Sequence, residues 1–469
     1  MRVCSLHSRL GFLTVGLTVL SALTNAAPIE DSCGDKPEYD IVKDVAIIGG
    51  GATGTLAGVR LREDYKKSVV IIEREERLGG HVNTYFVPGA NIPIDYGVIA
   101  YNNLSSTFDF FNRFNVSLQS APTPPWVTKY IDFTSGKSIQ PAVSDPAAAL
   151  GAYAQLLQKY PYLVGGYGQL PDPVPEELAQ PFSKTIAQYH LEAAIPIMWT
   201  FIFAVGDLNK ATTLSVIQNF GLIQLKDALS GGLQIPTRLS NSELYQKAAG
   251  LLGADVLYKS TVVDSTRGKN GYTTLTVKTP TGKKIIKAKK ILITIPPTVQ
   301  NLKPFDLDNQ EKEVFGKLTW SNTYVAIVSN TSIPDGVSLV NALPNSTFNL
   351  PQPPFLNTFD FSGVPGKYKT TVVGDKGFSK EDAKKLIKSG LKNVKSNAAV
   401  AQTPVIEAFA SHDKLQLWPS PEDMKAGFYK KLYALQGLRG TYYTGGAWAS
   451  DYSSTLWQFT DALLPALVA

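Results

Sequence analysis

The chain has 469 residues, 44% of them apolar and 10% aromatic, which is enough to fill the cores of two or three domains and excludes a disordered or fibrous protein. Its net charge of +6 is too mild for a nucleic-acid binder. With only two cysteines, Cys4 and Cys33, it is not a disulfide scaffold either.

The first segment reads as a secretory signal over residues 1–26: Arg2 and Arg9 give a basic start, Leu10 to Leu23 is apolar, and Thr24-Asn25-Ala26 offers a small-residue cleavage site. Losing Arg2 and Arg9 lowers the net charge from +6 to +4, because the segment holds no acid. Cys4 leaves with it, so no intramolecular disulfide is expected. No later stretch is long and uncharged enough for a transmembrane anchor. Four glycosylation sequons, at Asn103, Asn115, Asn330 and Asn345, fit a secreted glycoprotein.

Residues 27–44, polar and with Pro28 and Pro37, predict a flexible lead-in. Val45 to Ile48 predicts a buried strand, Gly49 to Gly54 a tight turn, Thr55 to Asp64 a helix and Ser68 to Glu73 a second strand, a βαβ unit. From about Ser120 to Ser240 the texture changes to Pro122-Thr-Pro-Pro125, a turn at Thr134 to Gly136, and helices around Pro146 to Lys159 and Glu176 to Ala204. Strands return at Val256 to Val263, Thr273 to Lys278 and Ile291 to Thr294, the last ended by Pro296-Pro297. Lys283 to Lys290, KKIIKAKK, alternates as the wet face of a strand does. Further strands are expected at Tyr324 to Ser329, Thr370 to Val373 and Val405 to Ala408, with an amphipathic helix from Ser379 to Lys395. Thr441 to Thr444, Gly445-Gly446 and a helix from Ser453 end the chain.

Gly49-Gly50-Gly51-Ala52-Thr53-Gly54 matches G-x-G-x-x-G after a strand and before a helix, with Glu73 about 20 residues on at the end of the next strand, as a dinucleotide fingerprint requires. Gly49 allows the turn, Gly51 lets backbone approach a pyrophosphate, and Gly54 lets helix and strand pack closely. The helix amino end meets the phosphates, and Glu73 meets the ribose hydroxyls. NAD and FAD share this pattern. Arg77-Leu78-Gly79-Gly80-His81 separates them, because R-x-G-G-R/H after the acid resembles the flavin-containing amine oxidase superfamily.

Ala288 to Pro297 and Thr444-Gly-Gly-Ala-Trp448 with Ser453-Ser-Thr455 extend that resemblance. RLREDYKKSVVIIEREERLGGHVNTY, PIDYGV and TGGAWASDYSSTLWQF together resemble secreted fungal FAD oxidoreductases of the β-cyclopiazonate dehydrogenase type. The resemblance implies an α/β (mixed α+β) fold. Its Rossmann-like FAD-binding domain is assembled from residues 45–120, 241–300 and 435–469, and an inserted mixed α/β substrate domain spans residues 121–240 and 301–434. It implies FAD as cofactor and the amino end of the last helix at the flavin's N1/O2 edge. The candidate cofactor contacts are Gly49, Gly51, Ala52, Thr53, Gly54, Glu73, Arg74, Arg77, Gly79, Gly80, His81, Tyr96, Gly97, Val262, Gly445, Trp448, Ser453 and Ser454.

The chain departs from the amine oxidases proper. Gly445-Gly446 stands where they carry Gly-Glu, His81 where they usually carry Arg, and no C-terminal cysteine can tether a flavin. His81 has three readings: a contact to the phosphate and ribityl region, a covalent link to the flavin, or a turn residue. His190 and His412 are isolated and read as structural, and no cluster suggests a metal. Tyr96, Tyr101, Trp126, Trp320 and Trp448 can face substrate or fill cores. Hydride removal by a flavin asks little of acid-base groups, so no catalytic residue is named.

The expected activity is that of an FAD-dependent oxidoreductase taking a hydride from a small apolar or aromatic secondary metabolite, in oxidation or oxidative cyclisation, with oxygen as a possible electron acceptor. The alternatives are a redox-neutral isomerase, an amine oxidase, or a protein that keeps FAD for structure.

Overall fold

The structure, a computed structural model, describes residues 39–140, 144–394 and 403–469. The expected signal, Cys33 and residues 27–38 of the expected lead-in lie outside them.

The central strand, Ile41–Ile48, runs parallel to Val69–Ile72 on one side and to Gly282–Ile293 on the other. Val256–Leu257 extends the sheet past Val69–Ile72. Gly282–Ile293 holds two partners along its far edge: Tyr272–Thr279 antiparallel to its first half, and Thr441–Tyr443 parallel to its last three residues. Thr261–Lys269 closes the antiparallel part.

The parallel strands are apolar runs because both faces are covered. Val45, Ile47, Val69 and Ile71 pack with the helix Ala52–Glu63 and with Trp457, Leu464 and Leu467 of the last helix, Ser453–Val468. Ala46, Ile48, Val70 and Ile72 belong to the opposite core, which is shared with the helices between Ala147 and Ser230.

A second seven-stranded sheet is ordered Val405–Trp418, Thr319–Ser329, Lys367–Asp375, Phe355–Phe361, Val337–Asn341, Val127–Ile131, Ser138–Ile139. It is antiparallel except where Val337–Asn341 meets Val127–Ile131. Ser379 caps the helix Lys380–Asn393 by accepting from the Asp382 N–H, and Ala383, Ile387 and Leu391 of that helix fill this sheet's core.

Three elements differ from expectation. The first strand begins at Ile41, inside the expected lead-in, because Ile41 to Lys43 pair with Ile286 to Ala288. The first helix begins at Ala52, within the glycine turn, with Gly51 as its N-cap. The stretch from Glu176 to Ala204 is not one helix: Pro181 precedes the helix Phe182–Tyr189, His190 closes it in the left-handed conformation (φ 53°), and Ile195–Ile202 restarts with Pro196 in its first turn.

A buried ion pair fixes the last strand. Arg267 donates to Glu311 (2.5 and 2.9 Å) and to Thr441 Oγ1 (3.0 Å), and the Tyr443 hydroxyl donates to Glu311 (2.7 Å). Both charged side chains are 0% exposed. Glu311→Leu leaves Arg267 charged and uncompensated, and such a loss costs about 3–5 kcal/mol. A lowered urea-unfolding midpoint is expected; an unchanged midpoint contradicts this role.

Candidate functional site

Because the strands ending in Ile48, Ile72, Ile293 and Tyr443 are parallel, their carboxyl ends share one edge. An open α/β sheet binds its ligands there. The edge is stitched by Gly49 N–H to the Ile72 carbonyl (2.9 Å), Thr294 N–H to Ile48 (3.0 Å) and Thr444 N–H to Ile293 (3.0 Å).

The glycines of the first turn are required by space. Gly49 has φ 102°, and a Cβ there would stand 2.8 Å from Thr294 Oγ1. A Cβ on Gly54 would overlap the Gly49 carbonyl. Above Gly51 the nearest heavy atom to a Cβ is Gly80 Cα at 3.9 Å, so the room over this helix amino end is open. No side chain caps that end, and Ala52 and Thr53 form its first turn. Glu73, only 6% exposed, accepts from Gly50 N–H (2.6 Å) and Glu75 N–H (2.7 Å). Its four lone-pair directions leave acceptor capacity for hydroxyls.

The second glycine pair crosses the first. Gly79 N–H donates to the Gly50 carbonyl (2.8 Å), and a Cβ on Gly80 (φ 54°) would sit 2.9 Å from Gly51 Cα. Gly97 packs so closely on the His81 carbonyl that a Cβ would overlap it, and Tyr96 N–H donates to the Asn83 carbonyl (2.9 Å). Arg77 donates to the Leu78 carbonyl (3.2 Å) and the Gly80 carbonyl (3.1 Å), shaping this loop. Arg74 is exposed and paired with Glu75 (3.3 Å), so it does not face the crossing through that contact.

The carboxyl-terminal segment closes the site. Trp457 Nε1 donates to the Ala52 carbonyl (3.0 Å), which ties the amino end of the last helix to that of the first. Tyr452 is the N-cap of the last helix, and no side chain caps it. The Ser454 hydroxyl accepts from Asn102 N–H (2.9 Å), Ser453 is buried beside Tyr245, and Gly445 has φ 127°. The Trp448 ring is not on this surface: it is 0% exposed and stacked on Tyr443 at 5.3 Å, so an aromatic-wall role is replaced by core packing. Val262 lies in the antiparallel strand two residues past Ser260, whose N–H donates to the Glu73 carbonyl (2.8 Å), and so borders the Glu73 end of the cleft. Trp126 packs on Phe361 and Trp320 lies under Lys376, both on the second sheet.

Residues invisible as a set in the sequence complete the cleft. His412, on the last strand of the second sheet, stacks on His81 (4.3 Å, 23° between planes). Asn83 joins them, donating to the His81 carbonyl (3.2 Å) and to His412 Nε2 (2.8 Å) while accepting from Arg77 (2.7 Å). Burial holds the His81 pKa down to about 4, with Asp413 opposing and Arg74 and Arg77 reinforcing the shift. Burial also pushes His412 well down, helped by His81 and Arg77. Tyr101 and Tyr245 lie beside each other, and Gly79 approaches the Tyr245 ring; both hydroxyls are buried without a hydrogen-bond partner. Two uncapped helix amino ends, a ribose-suited carboxylate, glycine-thin walls and orphaned hydroxyls fit a dinucleotide with a pyrophosphate. Among the described residues, no group of three or more His, Cys, Asp or Glu is placed to hold a metal, and no helix is long and apolar enough to cross a membrane.

Such a sheet with such an edge defines a dinucleotide-binding fold. Residues 47–114 match the NAD(P)-binding Rossmann-like domain family. The chain is 32% identical over 461 residues to β-cyclopiazonate dehydrogenase of Aspergillus oryzae, covering 98% of each chain. It is 36% identical over 448 residues to the FAD-dependent oxidoreductase oblC of Cochliobolus heterostrophus, covering 92% of each. Among solved structures it is similar in fold to a fatty acid isomerase from P. acnes (TM-score 0.74, 18% identity, 90% of this chain and 98% of that one). Cyclohexylamine oxidase from Brevibacterium oxydans is a further fold neighbour (TM-score 0.61, 15% identity, 91% and 98%). The protein belongs to the family of FAD-dependent oxidoreductases that includes β-cyclopiazonate dehydrogenase, and its cofactor is FAD.

Gly80→Ala is expected to abolish stable FAD retention, since its Cβ would enter the Gly51 backbone in a left-handed conformation; flavin content after gel filtration reads this. Glu73→Ala should weaken FAD binding about 10- to 100-fold, the worth of one or two hydrogen bonds to a charged acceptor, and unchanged affinity contradicts the ribose role. For the histidines the folded state disfavours the charged form, so unfolding takes up protons below the ordinary value of 6.5. Stability is therefore lost as pH falls from 6.5 towards about 4. His412→Phe keeps a stacking ring and should flatten that part of the melting temperature against pH curve.

Proposed function

We propose that this protein is a secreted oxidoreductase that takes a hydride from a small apolar or aromatic secondary metabolite, in oxidation or oxidative cyclisation, and passes the electrons to oxygen. The observation carrying this reading is the near full-length relationship to a dehydrogenase named for β-cyclopiazonate. When bound, FAD supplies the two-electron hydride acceptor. The chain's own residues would hold and shield it: the crossing of Gly51 and Gly80 would seat the pyrophosphate, Glu73 would take the adenosine ribose, His81 would contact the phosphate and ribityl region, and the amino end of Ser453–Val468 would stabilise negative charge on the reduced flavin.

A small cavity of mixed polar and apolar lining, with Tyr160, Gln218 and Gln224 among its walls, adjoins that helix end. Ser450 and Thr455 of the carboxyl-terminal segment share it with Leu157, Leu163, Ile217 and Leu222 of the helical layer.

Passage through the secretory pathway is supported by the sequons, whose asparagines Asn103, Asn115, Asn330 and Asn345 are all exposed. Enzymatic glycan removal from protein expressed in a eukaryotic host should lower its apparent mass.

Anaerobic mixing with a panel of aromatic and alicyclic amines, alcohols and indoles tests the activity. Bleaching of bound flavin by one of them, followed by peroxide release on admitting air, is expected. Turnover of a substrate with no electron acceptor and no bleaching would replace the oxidase by a redox-neutral isomerase.

A further inference from the structure

A second polar cluster lies beside Gly445-Gly446, outside the groups so far assigned. Asp451 sits in the loop between the strand Thr441–Tyr443 and the last helix, and its neighbours come from three parts of the chain. Gln416, near the end of the long strand of the second sheet, donates to Asp451 Oδ2 (2.6 Å) and to Asn219 Oδ1 (2.8 Å). Asn219, from the helical layer, returns a hydrogen bond to Gln416 Oε1 (3.0 Å) and accepts one from the Tyr452 hydroxyl (2.9 Å) at its carbonyl. The two amides thus lock each other, and the remaining Gln416 donor is aimed at the carboxylate. A Cβ on Gly446 would lie 3.5 Å from Asp451 Cβ, so the base of the Asp451 side chain packs beside the glycine pair.

This placement is unusual for a structural acid. Asp451 lies deep in the protein yet keeps accessible surface, and its neighbours Ser450 and Thr455 line the small cavity of mixed polarity described above. The Ser450 hydroxyl in that wall is buried without a partner. Among the described residues no Lys, Arg or His pairs with Asp451; the titratable groups facing it are the phenols of Tyr167 and Tyr452, both pushed up by burial. Burial lifts the Asp451 carboxyl to about 6, against the pull of Gln416. A carboxylate of that kind, at the junction of a cavity and the flavin-facing helix end, is suited to exchange a proton near neutrality.

We propose that Asp451 is the catalytic base of this site and that the substrate is an amine or alcohol whose N–H or O–H proton it takes. The inference rests on the hydride-removal reading above. The substrate loses a hydride from carbon and a proton from the adjoining nitrogen or oxygen, gaining a C=N or C=O bond. The hydride is FAD's share; the proton goes to Asp451 and from there to water. Gln416 is a positioning residue that orients the carboxylate and favours its charged form.

The test counts protons taken up when FAD in the holoenzyme is reduced by dithionite without substrate. Negative charge on a reduced flavin raises the pKa of a facing carboxyl. From about pH 6 upwards over roughly one to two units, the wild type should therefore take up as much as one proton more per flavin than Asp451→Asn, which keeps the acceptor for Gln416. Gln416→Met should move the midpoint of this excess to higher pH, since it removes the bond that favours the carboxylate. Asp95 is the control, because burial lifts its carboxyl to about 6 as well. Equal counts in wild type and Asp451→Asn, or an excess lost in Asp95→Asn instead, overturn the assignment. Should Asp451→Asn fail to fold, an unshifted midpoint in Gln416→Met overturns it. With any substrate that bleaches the flavin, Asp451→Asn should slow bleaching about 10²- to 10⁴-fold. If none of the panel bleaches it, the hydride-removal reading fails while the proton count still reports on Asp451.

Discussion

Two backbone segments cross at Gly51 and Gly80 with no space for a Cβ on Gly80, and the rest of the cleft is hung on that crossing. It brings the amino end of the first helix against the loop that carries His81. It can exist because the parallel strands on either side end at one edge. Trp457 then draws the last helix to the same place by bonding the Ala52 carbonyl. The result is two uncapped helix amino ends tied together, each offering unpaired backbone N–H groups and partial positive charge. Glu73 is the acid placed against it, and it is held by N–H groups of the loops on either side of it.

What the sequence revealed is what backbone geometry demands locally. A turn that tolerates no Cβ must be written in glycine, so the two crossing turns were legible from Gly49 to Gly54 and again at Gly79-Gly80. The strands of the parallel sheet were legible because burial on both faces forces continuous apolar runs. The start of the first strand at Ile41 was not, since it depends on pairing with Ile286 to Ala288, far along the chain. Trp448 was open between an aromatic wall and core, and the structure places its ring in the core, stacked on Tyr443 across the turn at Gly445.

Side chains that meet across elements were the least legible. His412 stands alone in a strand pattern, and nothing local announces that it stacks on His81. The same holds for Asn219, Gln416 and Asp451, which converge from a helix, a strand and a loop. Polar groups in such a network carry no period and no motif; their partners are set by tertiary packing. These clusters lie where the second sheet and the helical layer approach the carboxyl edge of the parallel sheet. The glycine turns are thus spelled in local motifs, whereas the polar clusters beside them are spelled only in three dimensions.

The central claim is that this edge holds FAD. The visible absorption spectrum of the purified protein tests it most directly: flavin bands with one FAD per chain are predicted, and a colourless protein that takes up no added FAD would contradict the account.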